Sequence, residues 1–215
     1  MGSDDLYKKR RKDRTALRKR EAIERQAKSR ILVLCEGETE VAYISMFAKF
    51  HKSKIVVDVS AKCPTCPAGM ADTAIEIKEH DSGYDSVFLV FDLDVVSIEK
   101  IGRVDDLARQ HELKLIKSDP CFEYWLLLHF TYTRKPYNRL PKKSPCDQVV
   151  SDLKQIKGME SYDKVASINL ALLMSNVDTA IIHAKRSFAE SLSVKLSNPS
   201  TNMYELIDYI SKPSN

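Results

Sequence analysis

The chain has 215 residues, 43% of them hydrophobic and 30% charged, enough for one α/β domain with a core and inconsistent with a wholly disordered polymer. Its net charge of +4 conceals an asymmetry: residues 1–30 carry 12 Lys and Arg against 5 Asp and Glu, and the other 185 carry 22 against 25. No apolar run nears the roughly 20 residues that cross a bilayer, no secretory h-region opens the chain, and an odd count of 5 cysteines argues against a disulfide framework, so a reducing cytoplasm is expected.

Residues 1–30 read as a polar, basic arm. Ala, Glu, Lys and Arg favour helix, so the arm is expected as a helix or as disordered chain. Its surplus charge suits a polyanion. ILVLC at 31–35 is apolar throughout, the mark of a strand buried on both faces. It ends in EGETE at 36–40. Val41, Ile44, Phe47 and Ala48 then recur at helical spacing, with Thr39 placed for the cap or first turn. A second strand is expected at 55–59. After Pro64, Pro67 and Gly69 a helix is expected at 70–80. SVFLVFDLD at 86–94 is the clearest buried strand, followed by a helix at 98–112 and a fourth strand at 113–117. Strands alternating with helices predict a mostly parallel sheet covered on both faces.

Past Pro120 the character changes. CFEYWLLLHF at 121–130 is apolar nearly all round and reads as a buried helix. Glu123 is costly there without a partner, so it is either a paired structural acid or a site residue. Trp125, His129 and His183 read as core or edge residues. The segment 131–146 is a loop with Arg134, Lys135, Arg139, Lys142 and Lys143 and no acid. Its cations suit phosphates, and Tyr132 and Tyr137 could stack on unpaired bases. Helices are expected at 147–157, 168–190 and 202–211. The organisation is therefore an arm at 1–30, an α/β domain at 31–130, and a basic loop with a helical extension at 131–215 packed on the same domain. Cys63 and Cys66 have the spacing of half a zinc knuckle, but a second pair is missing from the sequence.

In an open parallel sheet, sites form at the carboxyl ends of the strands. The first strand delivers Glu36 and, one helical turn on, Glu40. The third delivers Asp92 and Asp94. If these strands are neighbours the acids converge, and Mg²⁺ or Mn²⁺ is the natural neutraliser.

ILVLCEGETE followed by VFLVFDLD resembles the Toprim domain of primases, topoisomerases and OLD-type nucleases. KSDPCFEYWLLLHF, AIIHAKRS and NPSTNMYELIDYI resemble the RloB-like proteins of bacteria, and the likeness spans roughly residues 30–210. It implies a Toprim-like, Rossmannoid parallel sheet with helices on both faces and a helical C-terminal half. It also implies a metal-dependent nuclease acting in defence against phage, with nucleic acid as substrate and RNA, such as tRNA, favoured. An AAA- or ABC-type ATPase is the implied partner, since the sequence has no Walker A motif of its own. Carried over residue by residue, Glu36, Asp92 and Asp94 hold the metal, and Glu36 also serves as acid or base. Glu40 matches a second metal-binding Glu of OLD-type nucleases. Lys185 matches a late basic residue, counted with the catalytic set, that steadies the phosphate. Leu93 between the aspartates and Val95-Val96 after them depart from the family pattern, which leaves one-metal and two-metal sites both open. They also sustain a second reading, a non-catalytic module that grips nucleic acid or docks on an ATPase. No membrane contact is expected, and oligomerisation stays open.

Overall fold

The structure is a computed structural model that describes residues 29–93, 98–164 and 168–212. The basic arm up to residue 28, and Asp94, lie outside the described residues. Strands and helices alternate as the hydrophobic pattern predicts. They run β1 (Arg30–Cys35), α1 (Glu38–Phe50), β2 (Val56–Ser60), α2 (Pro67–His80), β3 (Ser86–Asp92), α3 (Ile98–His111) and β4 (Leu113–Asp119). The second half adds α4 (Phe122–Leu128), α5 (Pro145–Leu153), α6 (Leu170–Met174), α7 (Val177–Val194), β5 (Ser200–Thr201) and α8 (Met203–Ser211). The sheet order is β2-β1-β3-β4-β5. All neighbours are parallel except β5, which runs antiparallel to β4. Among the described residues no helix is long and apolar enough to cross a membrane.

β1 and β3 sit in the middle of the sheet and are buried on both faces, which is why both read as unbroken apolar runs. Their alternate residues feed two separate cores. Leu32, Leu34, Val87, Leu89 and Phe91 pack under Met70, Ala71 and Ala74 of α2 and Val104 and Ala108 of α3. Ile31, Val33, Cys35, Phe88 and Val90 face the other way, into a larger core. That core takes in α1, all of α4, and residues of α5, α6, α7 and α8. The helices of the second half therefore cover one face of the sheet together with α1.

Several details differ from the pattern-based expectation, element ends among them: α2 starts at Pro67, β4 runs to Asp119, α5 ends at Leu153 and α7 runs to Val194. The helix expected at 168–190 is broken into α6 and α7 at Ser175 and Asn176. Ser175 Oγ and Asn176 Nδ2 both donate to the Leu172 carbonyl at 2.8 Å and compete with the helical ladder. Helix α5 starts two residues early, because Ser144 and Asp147 form a reciprocal capping box with Pro145 in the first turn. The two-residue strand β5 was not expected at all. It closes the edge of β4 together with Asn202, whose side chain accepts from Lys117 N at 2.7 Å and donates to Leu115 O at 2.9 Å. A side-chain amide there does the work of a strand backbone, and the parallel edge is covered.

Candidate functional site

The ladder between β1 and β3 continues one step past β1, with Glu36 N donating to Val90 O at 3.0 Å. Parallel pairing in this register, Cys35 beside Val90, brings Glu36 level with the end of β3. The Glu36 carboxylate accepts a hydrogen bond from the backbone N–H of Asp92 at 3.1 Å. The two acids are thus held by the sheet itself. A cavity of about 520 Å³ opens above these strand ends, lined by Glu36, Glu40, Asp92 and Glu123 among others.

Glu40 comes from the first turn of α1, where two acidic residues suit the positive end of the helix dipole. Its carboxylate folds back over Gly37. A Cβ built on Gly37 would stand 2.9 Å from Glu40 Oε2, so glycine is what lets the turn and the acid approach. Gly37, not Thr39, takes the cap position, and Thr39 lies buried in the first turn. Glu40 is only 5% exposed. Burial, and then the negative charges of Glu123 and Glu36, push its carboxyl up to about 7, against the opposing pull of its own backbone N–H and of Lys164.

Glu123 answers the question raised by an acid in an apolar helix. It is 7% exposed, and Tyr162 Oη donates to its Oε1 at 3.2 Å. Its structural partner is thus a phenol and its carboxylate still lines the cavity. Tyr162 is held far above the usual phenol range by burial and by Glu123. The CPTC loop also borders the site. Thr65 lines the cavity, and the Cys63 thiol is raised by burial and by Glu36. Cys63 Sγ donates to Cys35 O at 3.5 Å, and Cys66 takes the cap position of α2.

The donors that converge are carboxylates, the ligand type that suits a hard divalent cation such as Mg²⁺ or Mn²⁺. Their chemistry fits such an ion. Among the described residues no three His, Cys, Asp or Glu already stand arranged to hold one. Glu36, Glu40 and Asp92 are brought together, and Asp94 falls outside the described residues.

Lys185 is placed elsewhere. It lies on α7, pairs with Asp208 at 2.7 Å, and rests 5.6 Å from the Tyr204 ring. Of the loop cations, Arg134 donates to the carbonyls of Pro199 and Leu196. Lys135 pairs with Asp152 at 2.8 Å, and Lys143 donates to Ser151 Oγ at 2.9 Å. Tyr137 is fully buried with its hydroxyl on Asp152, and Tyr132 donates to Glu190 beneath the Arg186 guanidinium. Arg139 and Lys142 are exposed on a tight turn closed by Leu140 and Lys143. The cavity also gathers residues that no motif signals: Thr65 from the CPTC loop, and Asp163 and Lys164 from the chain between α5 and α6.

A protein-family model described as RloB-like protein matches residues 31–210. No curated protein and no solved structure matches the chain.

Proposed function

This chain belongs to the RloB-like protein family, and on that premise we propose that it is a Toprim-type, metal-dependent nuclease that hydrolyses phosphodiester bonds. Its substrate is nucleic acid, RNA such as tRNA favoured, and its setting is bacterial defence against phage, in the cytoplasm and beside an ATPase partner. The observation that carries the reading is the Glu36–Asp92 pairing at 3.1 Å at the ends of adjacent parallel strands, inside an acid-lined cavity.

Glu36, Asp92 and Glu40 would hold Mg²⁺ or Mn²⁺, with Asp94 as the fourth acid of the sequence pattern. When bound, the cation supplies Lewis acidity to a phosphoryl oxygen and a more acidic water. Glu36 is oriented by the Asp92 N–H and is the residue placed to accept or return a proton. Glu40, fixed against Gly37 and buried, supports the metal rather than the proton transfer. Glu123 adds negative charge from α4 and is steadied by Tyr162.

The test is incubation of purified protein with tRNA, single-stranded RNA and DNA, and plasmid, with Mg²⁺, Mn²⁺ or EDTA, with and without an ATPase partner and ATP. Metal-dependent cleavage that EDTA abolishes is the expected result. No cleavage of any substrate under any of these conditions sinks the enzyme. A non-catalytic module that grips nucleic acid or an ATPase is the second reading. It is favoured by the lack, among the described residues, of three ligands already arranged around an ion.

A further inference from the structure

Six carboxyl groups line the cavity, from Glu36, Glu38, Glu40, Asp92, Glu123 and Asp163. Among its described lining residues Lys164 alone brings a positive charge. A phosphodiester is itself an anion, and acids at the cavity repel it unless a cation at the mouth offsets them. Lys164 is exposed, so its ammonium is accessible from solution. Its charge acts on two acids. It draws the Glu40 carboxyl down against burial. Asp147, held low first by its bonds from Ser144, is drawn down further by Lys143 and Lys164. The backbone at Lys164 has φ 50°, in the left-handed region that a non-glycine residue rarely adopts. Lys185, the cation that the family pattern suggested for this task, is paired with Asp208 instead.

We propose that Lys164 is the substrate-positioning residue of this site, its ammonium gripping a non-bridging phosphate oxygen of a nucleic-acid strand at the cavity mouth. The assignment rests on the nuclease reading above and adds to it the group that binds the phosphate. Lysine suits the task as a flexible point charge. It makes no bond to the reacting atoms beyond that contact.

The experiment measures binding and cleavage separately on the full-length protein. A 5′-labelled 12-residue oligouridylate is titrated in Ca²⁺ at several KCl concentrations, and its cleavage is followed in Mg²⁺ or Mn²⁺. The variants are Lys164→Gln, Lys164→Arg and Lys164→Gly. The glycine variant removes the charge while accommodating the left-handed backbone. Lys164→Gln and Lys164→Gly should raise Kd and KM about 3- to 10-fold, lower the log–log salt slope by about 0.7, and leave kcat within about 2-fold. Lys164→Arg should restore both Kd and slope. Unchanged oligonucleotide binding in Lys164→Gln, or a gain in Mg²⁺ affinity as its sole effect, would mean that Lys164 is only a counter-ion to the acids, and overturns the proposal. A wild type that binds but cuts nothing removes the nuclease reading and leaves Lys164 supported by Kd and slope. A wild type that cuts, beside a Lys164→Gln variant of equal KM, removes Lys164 alone. A wild type that does not bind the oligonucleotide overturns both.

Discussion

The acidic cavity and the basic loop at 131–146 look alike as sequence, since each is a dense set of like charges. They fold to opposite outcomes. The acids at the strand ends stay together around open volume, and Glu40 is left with burial and repulsion pushing it up to about 7. The cations of the loop are largely taken up within the fold. The Arg134 side chain is 18% exposed and spends its donors on the carbonyls of Pro199 and Leu196, and Lys135 pairs with Asp152. Guanidinium and ammonium groups on long side chains find acceptors within reach. Carboxylates fixed by adjacent parallel strands cannot move apart to relieve their repulsion. Charge density in a sequence marks a site only where the backbone prevents self-pairing.

The sharpest way to break this contrast is Asp92→Asn. Metal-dependent cleavage should fall about 100-fold or more, while oligonucleotide affinity holds, because the change removes a ligand charge and no basic contact. Equal cleavage by the variant would move the chemistry away from the strand ends.

The next largest effect concerns α4, the helix that carries Glu123 to the cavity. His129 is buried at 1% exposure, with Nδ1 donating to Trp125 O at 3.0 Å and Nε2 accepting from Tyr43 Oη at 2.8 Å. Burial lowers its pKa to about 4 despite the opposing backbone bonds. The folded state binds the proton less well than the unfolded chain, whose His titrates near 6.5. Its contribution is therefore fully present above about pH 6.5 and is lost as pH falls toward 4, on the order of 3 kcal/mol. Urea melts at pH 7 and pH 4.5 measure it, and His129→Gln should flatten that part of the pH profile. An unchanged profile would mean that another group governs acid stability.

Arg134→Ala tests the loop side of the comparison. It strands carbonyl acceptors and should cost about 1–3 kcal/mol of stability by thermal melting, with little change in the salt dependence of nucleic-acid binding. A lost salt slope with unaltered stability would return Arg134 to the phosphate-binding set. Gly37→Ala is smaller still. Its methyl would meet Glu40 Oε2 at 2.9 Å, so cleavage should drop about 10-fold through displacement of that carboxylate, with the thermal midpoint nearly kept. Full activity would show that Glu40 can shift without consequence. The smallest change is expected from Arg139→Ala with Lys142→Ala, the exposed pair, each lowering the log–log salt slope by about 0.7 if it meets a phosphate of a single strand.

Much of this was legible in the residues. Unbroken apolar runs at 31–35 and 87–91 mark central parallel strands, because a strand buried on both faces lacks alternation. Their acidic ends mark the site, because loops after parallel strands share one edge of the sheet. The buried helix after Pro120 was legible too, from its lack of a polar face.

What the sequence could not determine depends on contacts between distant segments. The role of Glu123 needed Tyr162, 39 residues away. Lys164 sits in SYDKVAS, where nothing in composition or period distinguishes it, and only packing of the chain between α5 and α6 brings it to the cavity. Arg134 and Lys185 look like phosphate ligands by type, and their carbonyl and carboxylate partners lie 65 and 23 residues on in sequence. The closing of the β4 edge by Asn202 was hidden for the same reason. Apolar periodicity is a local property, set by which face of an element leaves water, and the sequence alone fixes it. Pairing of polar groups is decided by three-dimensional proximity, because a charge takes whichever acceptor the folded chain brings within hydrogen-bond reach.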